Sequence, residues 1–171
     1  MKRQLQLAVT VFLHNKGKYL VLHRHNNKKV DAGRLNGIGG KVEDNETFLE
    51  TAIRETKEET GFSVDESCMK FCGLVRTRGG YPVDWIVCFF KASVPTNKVP
   101  VGSQCREGKF LWLKPEDLFT QGIELVDDLH YLFEKITSNK KIFFANIRLN
   151  DQEKVEKIKI SYSPFDNLTT P

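Results

Sequence analysis

Apolar residues occur along most of the chain in short runs of the kind that form β-strands. Two such runs near the start, at 5–14 and 18–25, flank Asn15-Lys16-Gly17, a turn signal that predicts a β-hairpin. These strands are expected to belong to a mixed, mainly antiparallel sheet. Other runs rich in β-branched and aromatic residues predict its remaining strands at 69–78, 83–94, 109–114, 141–149 and 157–162.

Two segments carry the apolar pattern of a helix instead. Thr47 can act as the N-cap of the first, with Glu50 completing a capping box, and Gly61 suits the left-handed residue beyond its last turn. The second helix is expected at 127–138, and residues 115–118 resemble the first turn of a short helix. Sheet and helices together predict an α+β fold. The first helix turns one mostly apolar stripe towards the core, formed by Phe48, Leu49, Ala52, Ile53, Thr56 and Thr60.

Bulk properties place the chain among ordinary globular proteins. Its 171 residues predict one domain at 1–162 and a tail of loop composition at 163–171. The net charge of +4 includes no run of like charges that would indicate binding to duplex nucleic acid. No window approaches the roughly 18 apolar residues of a membrane helix. The four scattered cysteines are expected to be reduced, mostly buried thiols of a cytoplasmic protein rather than zinc ligands.

The segment 39–62 is unusually acidic for a chain of net positive charge. It holds seven acidic and three basic residues, which gives a local net charge of −4. Glu55, Glu58 and Glu59 share one side of the predicted helix, where they repel one another, and two of them face the unfavourable end of the helix dipole. A solvated face would account for Glu58, four residues from Arg54, but not for the other two. The pattern therefore favours a cluster of oxygen ligands for Mg²⁺ or Mn²⁺.

The same segment resembles the Nudix box, G-x5-E-x7-R-E-U-x-E-E-x-G-U, where U is apolar. One position departs from the box, because Thr56 stands where an apolar residue is expected, although it faces the apolar stripe. The resemblance implies the Nudix fold, an α/β/α sandwich around a mixed sheet. It also implies hydrolysis of a nucleoside diphosphate linked to another moiety. The matching positions are Gly40, Glu46, Arg54, Glu55, Glu58, Glu59, Gly61 and Phe62.

The resemblance also implies roles for individual residues of the box. In that family the three glutamates bind a divalent metal, here Mg²⁺ or Mn²⁺, with help from a backbone carbonyl at the position of Gly39. The pair matching Glu46 and Arg54 is mainly structural and holds the loop to the helix. The chemistry implied is attack of water on a phosphorus atom, assisted by the metal.

Three residues outside the helix are further candidates for this chemistry. A fourth carboxylate often follows the box in that family, and Glu107 is the candidate here, as a metal ligand or general base. A plain surface glutamate is the alternative. Arg24 and Lys41 are candidates to hold phosphate groups through charge-assisted hydrogen bonds, with solvated surface charge as the default for either.

Beyond the box, AGRLNGIGGKVE and the chain from ELVDDLHYLFEKI onward resemble the MutT-like 8-oxo-dGTP diphosphatases. In the animal members an asparagine at the position of Asn36 hydrogen-bonds the purine. Two aspartates at the positions of Asp127 and Asp128 read the base edge. Leu35 and Leu125 stand where those relatives have tryptophans that flank the base. The alternative is that Asp127 is the N-cap of the second helix and that Asn36 stabilises the glycine turn.

The sequence therefore predicts a Mg²⁺-dependent Nudix pyrophosphohydrolase that cleaves nucleoside triphosphates to the monophosphate and pyrophosphate. Oxidised purines such as 8-oxo-dGTP are the candidate favoured substrates. Two alternatives stay open. One is a Nudix hydrolase of dinucleoside polyphosphates or ADP-ribose, and the other is a nucleotide-binding module without catalysis, which the intact box disfavours.

Overall fold

The computed structural model describes residues 3–138 and 141–164, and within them eight strands and two helices form one unit. Short 3₁₀ turns occupy Glu66–Cys68 and Pro115–Asp117, so the short helix expected at 115–118 is a single turn. The strands are β1 Leu5–Asn15, β2 Lys18–Arg24, β3 Leu35–Asn36, β4 Lys70–Arg78, β5 Asp84–Ser93, β6 Gly108–Leu113, β7 Phe143–Leu149 and β8 Val155–Tyr162. The helices are α1 Phe48–Thr60 and α2 Leu129–Thr137.

All eight strands belong to one sheet. Its order is β3-β2-β1-β5-β4-β7-β8, with β6 also paired to β2. β1 runs parallel to β5 and β4 runs parallel to β7, whereas the other strand pairs are antiparallel. The expected β1–β2 hairpin and the mixed, mainly antiparallel α+β architecture are confirmed.

The two faces of the sheet each carry a helix. In β1, Val9, Val11 and Leu13 belong to the core on the α1 side, because alternate residues of a strand point to opposite faces. Phe12 points the other way and meets Phe133 of α2 edge-on, with ring centroids 5.3 Å apart. The α/β/α sandwich is therefore confirmed.

Helix α1 has the predicted ends. The Thr47 side chain accepts a hydrogen bond from the Glu50 backbone N–H, and the Glu50 side chain accepts one from the Thr47 backbone N–H at 2.8 Å. Gly61 lies beyond the last turn with φ of 78°, in the left-handed region that suits glycine, and its N–H donates to the Lys57 carbonyl. Thr56 is fully buried and its hydroxyl donates to the Ala52 carbonyl at 2.7 Å, so threonine fits the apolar stripe.

Helix α2 begins later than predicted. It starts at Leu129, and Asp128 occupies the N-cap position without a capping hydrogen bond from its side chain. The interpretation of Asp127 as a simple N-cap is wrong, because its carboxylate instead accepts a hydrogen bond from the Val155 N–H at 2.7 Å. The Asp127 side chain therefore contacts a residue 28 positions away in the sequence instead of capping the helix that follows it.

Three smaller expectations concern the termini, membranes and cysteines. Of the predicted tail at 163–171, residues 165–171 lie outside the described part of the chain. No helix among the described residues is long and apolar enough to span a bilayer. All four cysteines are free; Cys72 and Cys88 are buried, Cys105 is half-buried and Cys68 is exposed.

Candidate active site

The glycine loop before α1 lies alongside β1. The Val11 N–H donates to the Ile38 carbonyl and the Val9 N–H to the Gly40 carbonyl, at 2.7 and 2.9 Å. This pairing presses Gly40 against Glu55 of α1. A Cβ at Gly40 would overlap the Glu55 carboxylate, so a larger residue here would displace that carboxylate from the loop.

Arg54 connects the loop to the carboxylates of α1. Its Nε and Nη2 donate to the two carboxylate oxygens of Glu46 at 2.7 and 2.9 Å, and the hydrogen bonds from Arg54 hold the pKa of Glu46 at about 2. Its Nη1 also donates to Glu55 at 2.8 Å and to Glu58 at 3.2 Å. The contact expected between Glu46 and Arg54 is present, and the guanidinium also offsets repulsion between the other two carboxylates.

Glu59 is the most deeply buried of the three box glutamates, with 8% of its surface exposed. It accepts a hydrogen bond from the Gly39 N–H at 3.0 Å and has no ion-pair partner in the part of the chain that the structure describes. Burial, with smaller contributions from Glu55 and Glu107, raises its pKa to about 8 although the hydrogen bond from Gly39 opposes the shift. A buried carboxylate without a cation is a fitting donor for a bound metal.

The donor set fits a hard divalent cation. Glu55, Glu58 and Glu59 offer carboxylate oxygens, the ligand type of Mg²⁺ and Mn²⁺. Within residues 3–138 and 141–164, no three acidic, histidine or cysteine side chains already stand in a metal-binding arrangement. In this arrangement Arg54 contacts one oxygen of Glu55 and one oxygen of Glu58. The metal-ligand roles of the three glutamates and of Gly39 stay predictions.

Glu107 lies near the box glutamates but is held by two cations. Arg24 contacts one carboxylate oxygen at 3.2 Å and Lys28 contacts the other at 2.7 Å. Burial opposes ionisation, yet these contacts lower the pKa of Glu107. A paired carboxylate of low pKa is a weak general base, so this environment favours Glu107 as an anchor for Arg24 and Lys28. Lys28, in a loop without periodicity, gave no signal in the sequence.

One cavity of about 530 Å³ joins these groups to the proposed base-reading residues. It extends from the glycine loop and the side of α1 to the segment that precedes α2. The structure thus brings together residues that are more than 100 positions apart in the chain. The expected site residues that line it are Arg24, Asn36, Gly39, Gly40, Lys41, Glu55, Glu58, Glu59, Glu107, Asp127 and Asp128.

At the other end of the cavity, Asn36 is held by its neighbours. Its Oδ1 accepts a hydrogen bond from the Gly37 N–H at 2.7 Å, and its Nδ2 donates to Asp31 at 3.1 Å. Asp31 in turn accepts a hydrogen bond from the Tyr81 hydroxyl at 2.7 Å. Stabilisation of the glycine turn by Asn36 is therefore present, and the same side chain also faces the cavity.

Asp127 and Asp128 differ in their surroundings. Asp127 is bound to the start of β8 through the Val155 N–H, and Lys154 lies 3.5 Å from its other oxygen. Asp128 has no ion pair among the described residues. Burial raises its pKa to about 7, and the neighbouring Asp31 and Asp127 add to the effect. Asp127 is thus held by its hydrogen bond and ion pair, whereas Asp128 has no ion pair within the described part of the chain and has a raised pKa.

Leucines Leu35 and Leu125 do not take the place of the flanking tryptophans. Both are buried in the core, with 0% and 3% of their surfaces exposed, and neither lines the cavity. The two positions that flank the base in the MutT-like relatives therefore do not border this cavity. The aromatic residues that line the cavity are Tyr81, Trp85 and Phe89, and Lys41 Nζ lies 5.9 Å from the Trp85 ring centroid.

These aromatic residues were missed by sequence reasoning. The apolar pattern predicted the strand that contains Trp85 and Phe89, but a strand buried on both faces does not show which face borders a cavity. Asp31 and Tyr81 lie in a loop and a turn, where no periodicity indicates a contact. Their pairing depends on two segments 50 residues apart.

Comparisons with known proteins agree with this geometry. A family model described as NUDIX domain matches residues 4–134. The oxidized purine nucleoside triphosphate hydrolase of Mus musculus is 59% identical over 34 residues, which span 20% of this chain and 22% of that protein. The chain therefore matches less than a quarter of the length of this relative.

Two solved structures share the fold at low sequence identity. A MutT protein from Bacillus halodurans superposes with a TM-score of 0.77 at 19% identity, covering 91% of this chain and 97% of that one. A MutT protein from Methanosarcina mazei Go1 gives 0.65 at 22% identity, covering 82% and 99%. Since the family model spans most of the chain and the box is complete at its charged and glycine positions, the chain belongs to the Nudix family.

Proposed function

We propose that this Nudix hydrolase uses Mg²⁺ to cleave nucleoside triphosphates to the monophosphate and pyrophosphate, with a preference for oxidised purines such as 8-oxo-dGTP. The observation that carries the proposal is the single cavity that holds both the box glutamates and the Asn36, Asp127 and Asp128 side chains. A nucleotide has a polyphosphate at one end and a base at the other, and the cavity has acidic metal donors and hydrogen-bonding groups in the same arrangement.

The base end supports the choice of a purine with a polar edge. Asn36 keeps one amide N–H and one lone pair after its contacts with Asp31 and Gly37. Asp128 has a pKa of about 7, raised by burial and by nearby carboxylates, so it is available both as an acceptor and as a protonated donor. Tyr81 and Trp85 add aromatic surface for the base. The 34-residue segment that is 59% identical to the mouse oxidized purine nucleoside triphosphate hydrolase supports the same substrate class.

At the phosphate end of the cavity, individual residues have distinct proposed roles. A bound divalent ion supplies Lewis acidity and lowers the pKa of a water molecule. Glu55, Glu58 and Glu59 would hold that ion, and Gly39 keeps Glu59 in place through its N–H. Arg24, fixed by Glu107, places a guanidinium at the cavity wall, where it can bind phosphate oxygens.

An assay of metal dependence and substrate range tests the proposal. Protein treated with EDTA is expected to lose activity and to regain it with Mg²⁺ or Mn²⁺, because the donor set contains only oxygen. The substrate panel is 8-oxo-dGTP, dGTP, dCTP, ADP-ribose and diadenosine tetraphosphate, and we expect the highest kcat/KM for 8-oxo-dGTP. Its products should be the nucleoside monophosphate and pyrophosphate.

Two outcomes would contradict separate parts of the proposal. Full turnover in EDTA would exclude a role for the metal donors. Hydrolysis of ADP-ribose or the dinucleotide alone would reject the triphosphate substrate and leave the family membership intact.

A further inference from the structure

The Asp31 side chain is a cavity group that neither the Nudix box nor the base-reading residues account for. It lies in the loop between β2 and β3, and its backbone has a φ of 54°, in the left-handed region. A residue other than glycine in this region is uncommon, although aspartate tolerates it better than most. Its carboxylate also lines the same cavity as those of Asp127 and Asp128, and repulsion between like charges disfavours this arrangement. Stability alone does not favour an aspartate at this position.

Both oxygens of the Asp31 carboxylate have defined partners. Oδ1 accepts a hydrogen bond from the Tyr81 hydroxyl at 2.7 Å, and Oδ2 accepts one from Asn36 Nδ2 at 3.1 Å. Tyr81 is itself fixed, because 9% of its surface is exposed and its backbone carbonyl accepts a hydrogen bond from Arg3. The three side chains therefore form a chain of hydrogen bonds from the buried Tyr81 through Asp31 to Asn36.

This chain of hydrogen bonds determines which way the Asn36 amide group points. An amide can rotate by half a turn and exchange its oxygen for its nitrogen. At Asn36 the exchanged orientation would set NH₂ against the Gly37 N–H and oxygen against the Asp31 carboxylate, so both hydrogen bonds would be lost. Asp31 and Gly37 thus select the same orientation from opposite sides. The remaining N–H and lone pair of Asn36 then occupy fixed places in the cavity.

We propose that Asp31, held by Tyr81, is a positioning residue that fixes Asn36 in the orientation that reads the purine base. The inference rests on the proposed function, since it presumes that a base contacts Asn36. Asp31 does not contact the substrate itself in this scheme. It makes base recognition stronger by removing the cost of ordering the Asn36 amide when the nucleotide binds.

Substitutions at Asp31 separate positioning from charge. Asp31→Gly removes the carboxylate and accepts the left-handed backbone. Asp31→Asn keeps an oxygen for Asn36, and its own NH₂ can donate to the Tyr81 hydroxyl, which can accept as well as donate. Tyr81→Phe removes the hydroxyl at the other end of the chain of hydrogen bonds. Lys29→Ala, at an exposed residue of the same loop outside the cavity, is the control.

The variants are assayed with Mg²⁺ on 8-oxo-dGTP, and tripolyphosphate serves as a competitive inhibitor that lacks a base. Asp31→Gly should raise KM roughly tenfold with kcat within about twofold, as expected when one hydrogen bond to the base is weakened. Tyr81→Phe should raise KM by roughly threefold, and Asp31→Asn should stay within about threefold of the parent. The inhibition constant of tripolyphosphate should not change in any variant, because it makes no base contact.

The results distinguish the inference from the function on which it rests. If the parent protein does not hydrolyse 8-oxo-dGTP, the proposed substrate is wrong. If it does and Asp31→Gly keeps the parent KM, the positioning role is overturned. An equal rise in KM and in the tripolyphosphate inhibition constant would show general damage to the cavity and also overturn it. Should Asp31→Gly unfold, Tyr81→Phe decides by the same criteria, because phenylalanine keeps the buried ring.

Discussion

At the scale of single residues, Asp128 shows how the cavity sets the state of a side chain. Burial raises its pKa to about 7, with further contributions from Asp31 and Asp127. An aspartate in an unfolded chain has a pKa of about 3.9. The folded protein therefore binds this proton more tightly than the unfolded chain does. The resulting stability is fully present below about pH 4 and is lost as the pH rises through 7.

Replacement of Asp128 should make the protein without ligand more stable at high pH. Asp128→Asn removes a carboxyl that is costly to ionise, so its free energy of unfolding relative to the parent should increase by roughly 1–3 kcal/mol between pH 5 and pH 8. Urea unfolding at the two pH values measures the difference. Asp151→Asn, which removes an exposed carboxylate, is the control and should show no such trend. An Asp128→Asn difference that is the same at both pH values would contradict the raised pKa.

The residues of the site divide into those that the sequence indicates and those that it does not. The three box glutamates were predictable because helical spacing and mutual repulsion are both readable from the chain. Asp31 was not, because its partner Tyr81 lies 50 residues away and meets it only through the tertiary fold. Leu35 and Leu125 match positions that flank the base in the MutT-like relatives, but the backbone buries both in the core here, which the sequence alone does not indicate.

At the scale of elements, α1 was predictable almost to the residue because its signals are local. The capping box and Gly61 act within one turn of the helix ends, so the residues that define both ends are close together in the sequence. The start of α2 was misplaced because the side chain of Asp127 is taken by Val155 of β8. Strand β3 was also missed, since two residues, Leu35–Asn36, are too few to show a period.

Glu58 of α1 is expected to contribute little to stability but much to activity. Glu58 is 60% exposed in its side chain and meets Arg54 at 3.2 Å, an exposed ion pair worth about 0–1 kcal/mol. Glu58→Gln should therefore leave the unfolding temperature nearly unchanged. If Glu58 binds the metal as proposed, we expect kcat to fall by roughly a hundredfold or more, since the variant would lose one charged ligand.

A matched substitution in the same helix provides the control for Glu58→Gln. Glu50→Gln makes the same change of charge, but residue 50 lies outside the cavity, and glutamine can keep the capping box. Its kcat should equal that of the parent. A folded Glu58→Gln protein with the parent kcat would show that Glu58 does not bind the metal.

At the scale of the whole molecule, the cavity is assembled from segments that are far apart in the chain. The glycine loop, α1, β5, the segment before α2 and the turn before β8 all contribute lining residues. None of these segments can form the site alone, so a ligand that bridges the two ends stabilises the folded molecule as a unit. The family fold was predictable from the box, but this convergence depends on strand order and register, which local patterns do not encode.

Nucleotide and metal should therefore stabilise the fold together. With Ca²⁺ in place of Mg²⁺ to slow turnover, 8-oxo-dGTP at a hundred times its Kd contributes about 2.7 kcal/mol. For a chain of this length that corresponds to a rise in Tm of roughly 5–10 °C. In EDTA the phosphates would face the unneutralised carboxylates of Glu55, Glu58 and Glu59, so the same nucleotide should raise Tm by far less. Thermal unfolding with nucleotide alone, Ca²⁺ alone and both measures this coupling. An equal rise in EDTA would mean that the phosphates do not lie against the box glutamates, and a rise with Ca²⁺ alone that matches the pair would mean that the nucleotide binds elsewhere.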